Sequence, residues 1–218
     1  MQDVLIFGTN DFAEILYRNI EMQSRKRYRV VGFMVDDDYY TDDTCLELPV
    51  YRYSETDRLL VRTAFICVGY TGMNQNREKI FYRLQQDGWN LPNYIDETAI
   101  VRSKVMGKAN IILEGTIIST QASIGHGNIF YPHSNLAHHS VLGDFNYLSI
   151  AAAISGHVTV GNNCFFGANS TTKDKIDIHD RSLIGAGCYL NASTNHPDGV
   201  YVPPRKIELQ KKSSEINL

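Results

Sequence analysis

The chain has 218 residues, 43% of them apolar, and its 21 Lys and Arg against 24 Asp and Glu leave a net charge of −3 and a pI near 6.1. That balance offers no basic field for nucleic acid, and no apolar run approaches the roughly eighteen residues of a membrane span, so neither is expected as a partner and a cytoplasmic protein is. The four cysteines, Cys45, Cys67, Cys164 and Cys188, show no C-x-x-C spacing, which suggests neither a zinc site nor a disulfide framework.

The first segment alternates strand and helix. Val4-Leu5-Ile6-Phe7 is an apolar run closed by Gly8, and Asp11 to Glu21 follows with Phe12, Ile15, Leu16 and Ile20 at helical spacing. Val30 to Val35 is a second strand, closed by Asp36-Asp37-Asp38. Ala64 to Val68 is a third, ended by Gly69, with a helix from about Asn74 to Gln86 after it. This order predicts a small parallel sheet with crossover helices.

Ligands of such sheets bind beyond the carboxyl ends of the strands, marked here by Gly8-Thr9-Asn10, Asp36-Asp37 and Gly69-Tyr70. A glycine turn followed by a helix N-terminus suits a phosphate. However, Gly8 to Ala13 does not spell G-x-G-x-x-G, and Asp11 would repel a phosphate held there, which disfavours a redox dinucleotide. Asp36 and Asp37 either accept hydrogen bonds from a ribose or base or form a solvated strand end.

Residues Asp87 to Thr98 connect this segment to the next. Pro92 stiffens them, and a fixed relation between the two parts is expected. From Ile100 to Leu190 an apolar residue then returns at every sixth position, at fifteen of sixteen places, with Thr172 the exception. Composition alone would give about seven. A small residue stands four places after the large one at Ala122, Ser134, Ser140, Ala152, Cys164, Ser170, Ser182 and Cys188, which makes both cysteines buried core thiols. Glycine often follows the large residue directly, as at Gly107, Gly125, Gly143, Gly161, Gly167 and Gly185, where it is expected to serve turns of positive φ.

This is the hexapeptide pattern of a parallel β-helix, a triangular prism of about five coils with residues i and i+18 stacked. After Leu190 the pattern dissolves into a polar tail that contains Arg205 and Lys206.

A small α/β domain before an uninterrupted hexapeptide repeat resembles the nucleotide-sugar acyltransferases related to sialic acid O-acetyltransferases and to the N-acetyltransferases of bacterial diaminosugar synthesis. The most specific stretches are Ala137-His138-His139-Ser140-Val141-Leu142-Gly143-Asp144-Phe145 and Gly156 to Gly167. The resemblance implies a Rossmann-like nucleotide-sugar-binding domain over 1–95, a left-handed β-helix acyltransferase domain over 96–193 and a tail over 194–218. It also implies acetyl-CoA as acyl donor, a UDP- or dTDP-linked amino sugar as acceptor, a homotrimer with sites at its subunit boundaries, and a role in lipopolysaccharide or O-antigen synthesis.

In that family the first histidine of such a segment is the catalytic base, which places the role on His138. The chemistry agrees, since attack of an amine on a thioester produces an ammonium that must lose a proton and an oxyanion that needs a donor. Eighteen residues beyond His138 is Gly156, whose bare N–H suits the oxyanion. The family pattern puts Gly156 and Ala168 along the coenzyme groove, and Arg205 and Lys206 are candidates for the coenzyme phosphates. Gly8, Thr9, Asp36, Asp37, Gly69 and His139 are the expected substrate-binding residues.

Two positions depart from the pattern. The residue after the base is commonly acidic and here is His139, so Asp144 or a carboxylate of a neighbouring chain is expected to orient His138. Tyr147 stands where relatives carry a histidine near the thioester carbonyl. No metal is expected at His138 and His139, because adjacent strand residues point to opposite faces. Direct attack without an acyl-enzyme is expected. An O-acetyltransferase or a non-catalytic nucleotide-sugar-binding scaffold would carry the same motifs.

Overall fold

The computed structural model describes residues 1–203. The N-terminal sheet contains β1 (Gln2–Phe7), β2 (Tyr28–Val35), β3 (Thr44–Cys45), β4 (Leu48–Arg52) and β5 (Ala64–Ile66) in the order β3-β4-β2-β1-β5. Helix α1 (Asp11–Met22) connects β1 to β2, and α2 (Gln75–Gln86) follows β5. β4, β2, β1 and β5 are parallel, and the strand order reverses between β1 and β5. Strand β4 has no counterpart among the strands expected from the sequence. It is a five-residue segment interrupted by Pro49, lying between β2 and the two-residue edge strand β3, with none of the continuous apolar character of β1 or β2.

The second part is the expected prism, with two-residue strands stacked into three parallel faces of seven, six and five strands. We call these the first, second and third faces. Large residues of successive coils stack inside it, as with Phe130, Leu148, Phe166 and Ile184 on the first face, each at most 1% exposed. Each such side chain contributes about 1.5–3 kcal/mol of burial. Thr172, the exception in the repeat, is also buried, and its hydroxyl accepts from the Ser155 N–H at 2.9 Å.

The positive-φ positions are not the glycines expected to hold them. They fall three places after each inward residue: Ala109, Gly115, Gln121, Gly127, His133, His139, Phe145, Ala151, His157, Asn163, Asn169, Lys175, Arg181 and Gly187. The directly following glycines serve close approach instead. A methyl group at Gly107 would stand 2.5 Å from the Gly125 carbonyl oxygen, and one at Gly125 would stand 2.1 Å from Asp144 Oδ1. These corners admit no Cβ.

The register runs i to i+18 through the middle of the prism, for example Ile118 to Leu136. The first coil is one residue shorter, since Ile118 pairs with Val101 while Ile124 pairs with Met106. Val101 is therefore the inward residue and Ile100 is 48% exposed. Adjacent Ile and Val left both phases open to an apolar count. The prism also extends past both ends of 96–193, because Tyr94–Ile95 and Val200–Tyr201 are the outer strands of its seven-stranded face. Within the span assigned to the tail, backbone pairing with Leu183 and Ile184 keeps Val200 and Tyr201 in the fold.

The two parts share their cores. Outward residues of the first face, Ile111, Leu113, Ile129 and Tyr147, pack with Val4, Ile6, Phe12 and Leu16 of the sheet and α1. On one flanking corner, Asn74 donates to the Cys164 carbonyl at 3.0 Å and Arg77 donates to the Gly127 carbonyl at 2.8 Å. On the other, Asn19 donates to Glu114 at 2.7 Å. The third corner, between the second and third faces, points away from the N-terminal domain.

Candidate active site and nucleotide cavity

His138 stands on that third corner, in the turn from Asn135–Leu136 to Val141–Leu142. Gly156 occupies the same corner one coil on. A methyl group there would lie 2.8 Å from Cε1 and 2.9 Å from Nε2 of His138, so the imidazole rests on the bare α-carbon. The stacking is fixed by the backbone, with the His157 N–H donating to the His138 carbonyl at 3.1 Å. The next member of this column, eighteen further on, is Asp174.

The partner that faces His138 is His139. Their Nδ1 atoms are 3.1 Å apart, so one ring donates to the other. Asp144 does not orient His138, because its Oδ1 accepts from the His126 N–H at 2.6 Å in an external ladder that continues through Asn162 and Asp180. The two histidines also do not point to opposite faces. They lie in a turn, with His139 at φ 60°, and strand alternation does not apply there. His157, at φ 57° one coil above His139, stacks on its ring at 4.7 Å with 10° between planes.

Two other expected residues lie elsewhere. Tyr147 is on the first face, buried between Tyr131 and Phe165 with Tyr70 at 5.2 Å, and burial holds its phenol well above the ordinary tyrosine range. The structure does not bring it to His138. Ala168 lies twelve residues after Gly156, on the corner between the first and second faces, so the two do not share a column. Arg205 and Lys206 lie outside the described residues.

A second site lies at the switch point of the sheet. A cavity of about 650 Å³ is lined by Gly8, Thr9, Asp36 and Gly69, four of the six expected substrate residues. Gly8 has φ 116°, and a methyl group on it would stand 2.7 Å from the Cys67 carbonyl oxygen, so only glycine fits this turn. Asn10 caps α1 by accepting from the Ala13 N–H at 3.1 Å. Asp36 pairs with Arg83.

Asp37 faces a shallower neighbouring depression, where the Ser54 hydroxyl and N–H hold its carboxylate below the ordinary aspartate range. His139 lines neither hollow. The sequence reading missed Asn76, Lys79 and Arg83, which line the cavity from α2. Their spacing of three and four residues was the available signal. Lys79 is exposed and makes no ion pair among the described residues.

The cysteines are all free, and burial pushes the Cys164 thiol up to about 12. Among the described residues no helix is long and apolar enough to cross a membrane.

The family model for the hexapeptide repeat of succinyl-transferase matches residues 157–192. A curated relative, 2,3,4,5-tetrahydropyridine-2,6-dicarboxylate N-succinyltransferase from Wolbachia sp. subsp. Brugia malayi (strain TRS), is 25% identical over 122 residues, which are 50% of this chain and 45% of that enzyme. The match thus spans less than half the length of that relative. Among solved structures, the acetyltransferase domain of PglB from Neisseria gonorrhoeae FA1090 superimposes with a TM-score of 0.76 at 17% identity, covering 93% of this chain and 97% of that one. That domain has also been solved in complex with acetyl coenzyme A. PerB from Caulobacter crescentus, in complex with CoA and GDP-perosamine, gives 0.71 at 19% identity over 95% and 98% of the two chains. WeeI from Acinetobacter baumannii AYE gives 0.64 at 16% over 87% and 96%. The shared fold is a small α/β domain followed by a left-handed β-helix.

Proposed function

We propose that this protein is an acetyl-CoA-dependent N-acetyltransferase acting on the amino group of a nucleotide-linked amino sugar, as a cytoplasmic homotrimer serving lipopolysaccharide or O-antigen synthesis. The observation that carries this reading is the imidazole of His138 lying on Gly156 at an exposed corner. A base and a bare backbone donor meet there where both reactants have access. The complexes of the similar PglB domain with acetyl coenzyme A and of PerB with CoA and GDP-perosamine support the choice of substrates. The N-succinyltransferase match supports an amine as acceptor.

In this mechanism Nδ1–H of His138 donates to Nδ1 of His139, which leaves Nε2 of His138 unprotonated. The sugar amine attacks the thioester carbonyl of acetyl-CoA. Nε2 takes the proton that the new ammonium releases, and the Gly156 N–H donates to the oxyanion. Collapse of the tetrahedral intermediate breaks the C–S bond and expels the CoA thiolate, which takes from His138 the proton that came from the amine.

The cavity at Gly8 and Gly69 would hold the nucleotide, with Lys79 on its diphosphate. Because this domain packs on the first face and His138 stands on the opposite corner, a sugar bound there reaches His138 of a neighbouring protomer. Val105 and Val141 on the third face, with Ile117 and Tyr189 on the second, are 40–64% exposed on either side of that corner and suit contact between copies.

The test is release of CoA from acetyl-CoA with uridine, thymidine and guanosine diphosphate sugars, each in amino and hydroxy forms. Transfer to an amino form is expected, and transfer to the hydroxy form alone overturns the reading. Lys79→Ala is expected to raise KM for the nucleotide sugar about tenfold or more with little change in kcat, as loss of one charge-assisted contact. An unchanged KM removes Lys79 from the site. Gly156→Ala displaces the imidazole and is expected to lower kcat about 10–100-fold in the same assay while coenzyme binding is largely kept.

A further inference from the structure

We propose that His138, His139 and His157 form a binding site for a divalent transition metal ion of the zinc type, and that its occupation switches off the base. Each histidine offers a ring nitrogen, and these atoms all lie within 4.8 Å of one another. A tetrahedral zinc with bonds of about 2.0–2.1 Å spaces its ligand nitrogens about 3.3 Å apart. Nδ1 of His138 and Nδ1 of His139 are already 3.1 Å apart. Side-chain rotation in the exposed His157 brings the third nitrogen in.

The backbone holds the set in place. His139 and His157 stand in the same left-handed turn of consecutive coils, and their rings stack at 4.7 Å. Three imidazoles without a carboxylate match zinc, copper or nickel, and do not suit magnesium or calcium. A water completes the shell.

The consequence for transfer rests on the function proposed above. A metal on Nδ1 of His138 leaves the ring proton on Nε2, the atom that must accept the proton of the amine. The same ion also takes His139, the partner that orients His138.

The test titrates the full chain, stripped with EDTA, with cobalt and follows the visible absorption of the bound ion, while zinc is titrated against a chromophoric chelator. No acyl donor or acceptor is present, so the outcome does not depend on transferase activity. One equivalent per chain is expected. His157→Asn and His139→Asn each keep a residue that accepts the left-handed turn, and each is expected to lower affinity at least tenfold. Absence of binding, or equal affinity in wild type and both variants, overturns the site. In the transfer assay, zinc is expected to inhibit the wild type reversibly by EDTA and to inhibit His157→Asn only at about tenfold higher concentration. Full activity with the site occupied overturns the switch.

Discussion

Replacing His138 by asparagine is expected to lower kcat for acetyl transfer by about 10²–10⁴-fold, the span of a lost general base. Binding of acetyl-CoA, followed by calorimetry, is expected to change little. The reasoning is local. His138 is exposed, contributes nothing to either core, and bonds through its backbone to His157 whatever its side chain is. A loss of activity therefore cannot be assigned to unfolding, and thermal unfolding of the variant should match the wild type within about 2 °C. Unchanged kcat would remove His138 from the chemistry.

The largest effect on stability is expected at Arg77. Arg77 is 1% exposed and has no carboxylate partner among the described residues. Nε donates to the Gly127 carbonyl at 2.8 Å, Nη1 to those of Val68 and Gly69 at 3.1 and 3.0 Å, and Nη2 to those of Phe145 and Asn146 at 2.8 and 3.3 Å. The first, fourth and fifth acceptors belong to the prism, and the second and third belong to the loop that lines the cavity at Gly8 and Gly69. Burial pushes the guanidinium down to about 9, so it remains charged at neutral pH with carbonyl dipoles around it.

Arg77→Met keeps much of the volume and removes every donor. Buried carbonyls left without partners cost about 1–3 kcal/mol each. A loss of about 3–5 kcal/mol is expected, seen as a fall in Tm of roughly 6–20 °C for a chain of this size. Because the loop at Gly69 loses its anchor, KM for the nucleotide sugar is expected to rise as well. A Tm within 2 °C of the wild type would contradict this account of how the two parts are joined.

Arg77 shows where sequence reading stops. In Gln75 to Gln86 it stands beside Glu78 and Lys79, ahead of the apolar Ile80, Phe81 and Leu84, and only the packing of that helix against a prism corner makes it a core residue. The prism itself was legible, because stacking forces the same residue type to recur at a fixed interval. Its corners were only partly so. Positive φ recurs three places after each inward residue, yet His, Phe, Lys, Arg and Gln stand at many of these places, and only Gly115, Gly127, Gly187, Asn163 and Asn169 advertise the conformation.

The family resemblance pointed to His138, and the eighteen-residue coil led from it to Gly156. The same interval leads on to Asp174, whereas Ala168, taken from the family pattern, lies on another corner. Asn110, Asn128 and Asn146 form a buried ladder in which each Oδ1 accepts the N–H eighteen residues on, at 2.8 Å. They occupy the slot that reads as small in other coils. Polar residues are tolerated there because each Oδ1 accepts an N–H and each Nδ2 donates to a carbonyl of the next coil, at Gly125, Gly143 and Gly161, a pairing visible only once the coils are stacked.

The most direct test of the central claim is the position of acetyl-CoA in a crystal structure of its complex with this protein. The account predicts the thioester oxygen about 3 Å from the Gly156 nitrogen, beside Nε2 of His138 and between two protomers. A coenzyme whose thioester lies on another corner of the prism, away from Gly156, would contradict it.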